Sequence, residues 1–249
     1  MKLLSIITFI TPAFAVNKID SINLAFSQMS DAEVEIECNA FKVGDKYVKE
    51  TPDFCPGIPT TRGTAFDGQM MLISSADSYG CWCDMANGLR TGGGRPTNEL
   101  DAACRDLHRS YNCITHDDPT CLPRTLDASL GEYNLPLSVT SPLTTPQAQC
   151  AIYNPPDSCG YRTCVVEAQF LRTTVSPVYA GDVEWLDMWN DNDLAHSPQG
   201  QFDNAQCFTQ NNVMNYGDKQ CCGEYPHRFP YYTNKAQCCN EVNSPLGSC

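Results

Sequence analysis

Apolar positions change period several times along the chain, and each change predicts an element. Residues 34–38, Val34-Glu35-Ile36-Glu37-Cys38, alternate apolar and polar with the period of a half-buried strand. Between 64 and 79, Phe66, Met70, Ile73 and Ala76 or Asp77 recur at three to four residues, the spacing of an amphipathic helix with its apolar side toward a core. From 97 to 113, Leu100, Ala103, Cys104, Leu107 and Tyr111 share one helical face. Thr97 or Asn98 can cap that helix, Pro96 suits its first turn, and Glu99 favours the positive end of its dipole. A second amphipathic helix is expected over 161–172, with Cys164, Val165, Ala168, Phe170 and Leu171 as its apolar positions.

The segments between these elements are as distinct as the elements. Pro52, Pro56, Gly57 and Pro59 punctuate the chain before the first expected helix. Residues 135–146 are rich in Ser, Thr and Pro, which predicts an extended surface loop with O-glycosylation candidates at Ser138, Thr140, Ser141, Thr144 and Thr145. No Asn-x-Ser/Thr sequon occurs, so N-glycans are not expected. From about 201 the chain becomes a cysteine-rich block, in which Cys221-Cys222 and Cys238-Cys239 bracket an aromatic, proline-containing stretch ending at Tyr232. At the other end, Lys2, the apolar stretch Leu3 to Ile10, Pro12 and Ala13-Phe14-Ala15 read as a signal peptide over residues 1–15. That apolar run is too short to span a bilayer, and no later one is longer. The expected organisation is therefore a signal peptide over 1–15, an extended segment over 16–60, a main domain over 61–200 and a small module over 201–249.

Composition narrows the function classes. The chain has 249 residues, long enough for a real core, so its 16 cysteines speak of compartment rather than of rescuing a tiny fold. An even set in a secreted chain is most simply read as eight bridges, which takes in Cys38, Cys55, Cys81, Cys83, Cys104, Cys113, Cys121, Cys150, Cys159, Cys164, Cys207, Cys221, Cys222, Cys238, Cys239 and Cys249. Their connectivity is open: the six tail cysteines could pair among themselves or with the helical region. With 29 acids against 16 bases the net charge is −13, which argues against nucleic acid and anionic membranes as partners.

One stretch carries a resemblance. Tyr79-Gly80-Cys81-Trp82-Cys83, then Gly92-Gly93-Gly94-Arg95-Pro96, then Leu100-Asp101-Ala102-Ala103-Cys104-Arg105-Asp106-Leu107-His108-Arg109-Ser110-Tyr111 resembles the secreted phospholipase A2 family over residues 64–172. In that family the loop and turn bind calcium through carbonyls, and the helix reads Asp-x-Cys-Cys-x-x-His-Asp-x-Cys-Tyr. Anchoring on Asp101, Cys104 and Tyr111 puts Leu107 where the family has its catalytic His, and His108 where it has its calcium-ligating Asp. Leucine cannot accept a proton, and calcium takes hard oxygen ligands. The Cys83 to Gly92 spacing is also longer than the family loop. Glu167 takes the place of the acid that orients the catalytic His, with no His to orient. The resemblance implies a Cys83–Cys104 bridge and the loss of two family bridges as whole pairs, Ala103 with Thr173 and Ser110 with Val166. The tail is similar to cysteine-rich modules beside such degenerate domains in extracellular proteins.

The fold class expected is thus mainly α with extended loops and many disulfides: a phospholipase A2-like core of two antiparallel, bridged helices plus a small Cys-rich C-terminal module. No cofactor and no metal are expected. The histidines, His108, His116, His196 and His227, suit surface or capping roles, and the acids Asp182, Glu184, Asp187, Asp191 and Asp193 suit a solvated loop, lacking the Gly and Glu of an EF-hand. No Gly-x-Ser-x-Gly elbow, P-loop or HExxH is present. The leading expectation is a non-catalytic structural subunit of an extracellular fibre, sheath or matrix, self-associating or joined to other extracellular proteins. A lipid- or protein-binding module using the former substrate channel comes second, and an active calcium-dependent phospholipase using His108 third.

Overall fold

The computed structural model describes residues 30–47, 55, 79–83, 92–123, 133–141, 143–175, 177, 207 and 218–249. Among them run helices α1 (Asp31–Asn39), α2 (Glu99–Asp117), α3 (Pro146–Tyr153) and α4 (Cys159–Thr174), and three two-stranded antiparallel hairpins. These hairpins are β1 (Lys42–Val43) with β2 (Lys46–Tyr47), β3 (Lys219–Cys222) with β4 (Phe229–Tyr232), and β5 (Ala236–Cys239) with β6 (Val242–Pro245). The signal peptide, nearly all of the helix expected over 64–79 and the acidic cluster around Trp185 lie outside the described residues.

The core is the antiparallel pair α2 and α4, with α3 packed beside α4. Asn98 caps α2, its side chain accepting from the Asp101 N–H, and the apolar face buries Leu100, Cys104, Leu107, Tyr111 and Ile114. Each large apolar side chain buried this way contributes about 1.5–3 kcal/mol, before ordering costs. Ser158 caps α4, which buries Val165, Ala168, Phe170 and Leu171. Among the described residues no helix is long and apolar enough to cross a membrane.

One expected element changes type. Residues 34–38 form part of helix α1, not a strand. The alternation Val34, Ile36, Cys38 is also compatible with a helical face built from Val34, Glu37 and Cys38, which are the three buried positions, whereas Ile36 is 52 % exposed. What decides is the start: Ser30 and Glu33 form a reciprocal capping box, with Glu33 Oε2 accepting from the Ser30 N–H at 2.6 Å.

All sixteen cysteines are paired. The bridges are Cys38–Cys55, Cys81–Cys207, Cys83–Cys104, Cys113–Cys221, Cys121–Cys159, Cys150–Cys164, Cys222–Cys238 and Cys239–Cys249. Cys83–Cys104 is the pair implied by the resemblance. The expectation of helices bridged to each other needs correcting: no disulfide joins the bodies of α2 and α4, and Cys121–Cys159 ties only the exit of α2 to the start of α4. Covalent links instead run outward from the pair to α3, to loops and to the tail.

The Ser/Thr/Pro stretch also differs from expectation. It is held inward by Arg172 on α4, whose guanidinium donates to the carbonyls of Val139, Ser141 and Thr144. Residues Leu137–Thr140 form a 3-10 turn, and Ser138 and Ser141 are buried. Those two hydroxyls therefore have no room for a sugar in this fold. Thr144 receives a hydrogen bond from Gln149, and Thr145, though exposed, caps α3 through its hydroxyl.

Candidate functional site

The stretch that carries the resemblance folds around one carboxylate. Asp101, in the first turn of α2, accepts from the N–H groups of Cys81 at 3.0 Å, Trp82 at 2.7 Å and Thr97 at 2.9 Å, and from the Thr97 hydroxyl at 3.4 Å. Burial pushes its carboxyl above the ordinary carboxylate range, against the pull of those donors toward the ionised form. Gly80 is required here twice over: its φ is +59°, and a Cβ would lie 2.5 Å from Asp101 Cγ. Gly92 belongs to the same packing, since a Cβ there would fall 2.2 Å from the Cys81 carbonyl oxygen. Trp82 Nε1 donates to the Gly94 carbonyl at 3.3 Å, and Cys83–Cys104 closes the loop onto the helix.

His108 is buried, not on the surface. Its ring lies 6.4 Å from that of Trp82 and 6.5 Å, edge to face, from that of Tyr111. The reason is register: α2 runs to Asp117, and its buried arc is wide enough to include 108 beside 107 and 111. His116 sits in the last turn of the same helix, where a cation suits the dipole, with Nδ1 3.5 Å from Asp117. His227 is exposed beside Phe229, and His196 lies outside the described residues. Among the described residues, the position that the resemblance gives to the ligating carboxylate is a buried imidazole, and Asp101 is engaged by four donors, a set that does not suit a calcium ion.

Glu167 on α4 is fully buried and faces α2. Tyr111 Oη donates to its Oε1 at 2.8 Å and Tyr133 Oη to its Oε2 at 2.7 Å. Burial, then the carboxylate beside it, pushes the Tyr133 phenol well above its ordinary value. Leu107, one turn from Tyr111 on α2, turns instead toward a small cleft between the helices.

That cleft, of about 70 Å³, is lined by Ala103, Leu107, Ser110, Val166, Phe170 and Thr173 among others, and is roofed by Pro226, His227 and Phe229 of the tail. Both residue pairs marked as lost bridges, Ala103 with Thr173 and Ser110 with Val166, line it.

The tail docks on the outer face of α2 at positions 109, 110, 113 and 117, which share one helical stripe. Arg109 stacks on Phe229 at 4.9 Å, the Ser110 hydroxyl donates to the Pro226 carbonyl at 2.9 Å, and Cys113 is bridged to Cys221. Asp117 takes a forked pair from Arg228, at 2.7 and 3.1 Å, and a third bond from Tyr225 Oη at 2.8 Å. Although burial works against it, those partners hold the Asp117 carboxyl below its ordinary value.

Further polar groups escape a reading of sequence alone. Glu37 of α1 is 2 % exposed, accepts from the Ser138 N–H at 3.0 Å and lies beside the Tyr153 hydroxyl. Burial raises its carboxyl to about 7. Nothing local marks this role, because Glu35 and Glu37 each lie between two apolar residues and differ in the helical face they occupy. Asp117 and Arg228, 111 residues apart, carry no joint signal either. No protein family, curated protein or solved structure matches this chain.

Proposed function

We propose that this chain is a secreted, non-catalytic protein with a degenerate phospholipase A2-like core, serving as a structural subunit of an extracellular assembly. The observation that carries the reading is the use made of its buried acids. Glu37, Asp101 and Glu167 are each bonded to backbone N–H groups or phenols that hold the fold together, and none of them lines the cleft beside Leu107. Eight bridges favour an oxidising, extracellular setting and rigidity. The juxtaposition of Ala103 with Thr173 and of Ser110 with Val166 supports the phospholipase-like register, and the tail roof occupies the face those bridges would have tied.

A lipid-binding role is less well supported, since the cleft is small, about 70 Å³, and is roofed by the tail. An active phospholipase using His108 is less well supported still, because that ring packs against Trp82 and Tyr111. The test is sedimentation velocity and electron microscopy of the oxidised, secreted protein, with a calcium-dependent lipid hydrolysis assay alongside. Concentration-dependent assembly into a regular polymer without hydrolysis is expected. A strict monomer under all secretion-like conditions, or hydrolysis abolished by His108→Ala, overturns the proposal.

A further inference from the structure

Helix α1 is joined to the rest of the fold by few ties. Its one disulfide closes to Cys55, still in the N-terminal segment, so no bridge fastens it to α2, α3 or α4. Among the described elements its main packing is on the turn Leu137–Thr140. Two hydrogen bonds cross that junction among the described residues. The Ser138 N–H donates to Glu37 Oε2 at 3.0 Å, and the Ser141 hydroxyl donates to the Ala40 carbonyl, just past the helix end, at 3.4 Å.

An acid sits at the centre of this junction. Glu37 is buried, yet its Oε1 has no hydrogen-bond partner among the described residues. Gln149 of α3 reaches the same turn from the other side, donating through Nε2 to the Ser138 carbonyl, and its buried Oε1 likewise has no donor. One turn further along α3, the Tyr153 hydroxyl is buried beside Glu37 outside hydrogen-bond geometry. Three elements therefore meet at Ser138 with two acceptor oxygens left over. A carboxylate is costly in that setting, whereas the neutral acid carries a proton of its own and no charge.

The groups facing Glu37 do not relieve the cost. The turn has no titratable side chain, and α3 offers only the Tyr153 phenol. On α1 itself, Glu33 adds a like charge one turn back. Arg172 of α4 is engaged by the carbonyls of Val139, Ser141 and Thr144. In the hairpin after α1, Lys42 lies over the Tyr47 ring at 4.8 Å, and Asp45 and Lys46 are exposed.

We infer that the junction is a proton-operated clasp: with Glu37 neutral, α1 is held on the turn, and with Glu37 ionised the helix lifts off as a unit, uncovering its buried face of Val34, Glu37 and Cys38. Burial holds the carboxyl at about 7 in the docked helix, against 4.5 in the released one. Docking is therefore complete below about 4.5 and weakens as pH rises through about 7. The whole shift amounts to about 300-fold in the docking equilibrium, of which about 70-fold falls between about pH 5 and about pH 8. Opening is local, because the bridges that fasten α2, α3 and α4 do not pass through α1. The clasp does not depend on whether the chain associates.

The test is hydrogen exchange by mass spectrometry on the full oxidised chain at those two pH values, corrected for intrinsic rates, with the α2 amides as internal reference. Wild type is compared with Glu37→Gln, whose folding is established by eight disulfides by mass and unchanged circular dichroism. In wild type, α1 is expected to lose about 70-fold more protection than α2 on going to the higher pH. In Glu37→Gln it should lose no more than α2. Parallel loss in α1 and α2 of wild type, or the same α1 loss in Glu37→Gln, overturns the clasp. Carbon-detected NMR titration of the wild-type carboxyl is the second measurement, and it needs no variant. A Glu37 midpoint near 7 supports the clasp, and one in the ordinary carboxylate range overturns it even where Glu37→Gln does not fold.

Discussion

Replacing Glu37 by Gln should abolish a specific pH dependence of stability. The carboxyl of Glu37 rises from 4.5 to about 7 because burial disfavours its charged form, and the Ser138 N–H and Tyr153 hydroxyl only partly offset that. At about 1.4 kcal/mol per pH unit, this corresponds to on the order of 3 kcal/mol between the protonated and ionised states. The folded chain therefore binds more protons than the unfolded one between those two values. Stability from this group is complete below about 4.5 and is lost as pH rises through about 7. Glu37→Gln keeps the shape and removes the charge, so it should match wild type near pH 4 and exceed it near pH 8. Denaturant unfolding with disulfides intact measures the difference, and hydrogen exchange of the α1 amides shows whether it is confined to the junction with residues 137–140. Parallel pH profiles for wild type and Glu37→Gln would refute the reasoning, because no other change accompanies the substitution.

Further outcomes follow from the same contacts. Glu167→Ala strips the partner from two buried phenols and should cost about 3 kcal/mol or more, with Tyr111→Phe and Tyr133→Phe each costing about 1–3 kcal/mol, as read by denaturant midpoints. Gly80→Ala forces a Cβ into Asp101 at a left-handed φ and should expose the Cys83–Cys104 bridge to faster reduction, followed by thiol labelling. Arg228→Ala should loosen the tail by about 1–3 kcal/mol without releasing it, since Cys113–Cys221 remains; exchange should rise in residues 223–232 while α2 is unaffected. In wild type the same loosening should appear as pH falls through the depressed value of Asp117, below the ordinary carboxylate range.

Much of the helix pair was legible in sequence because helical packing is a relation between residues three and four apart, and the 97–113 and 161–172 patterns sit on α2 and α4 with extensions of a few residues. The candidate site was legible to the extent that identity alone settles chemistry: a leucine at 107 cannot take a proton wherever it points. Residues 34–38 are helical although they alternate, because a short alternation satisfies both periods, and the capping box at Ser30 and Glu33 breaks the tie. The Ser/Thr/Pro loop packs inward despite its composition, because composition carries no record of a distant cation, here Arg172, that satisfies its carbonyls.

An even cysteine set suited to full oxidation and two amphipathic helices with their apolar faces can be read along the chain alone. Only the tertiary structure decided which cysteines pair, that the tail lies along α2, that His108 is buried, and that Glu37, Asp101 and Glu167 are bonded within the fold. The physical reason is range. Periodicity and side-chain chemistry are properties of neighbours along the chain, whereas a buried charge, a disulfide or a docked hairpin depends on partners up to 126 residues away, brought close only when the core forms.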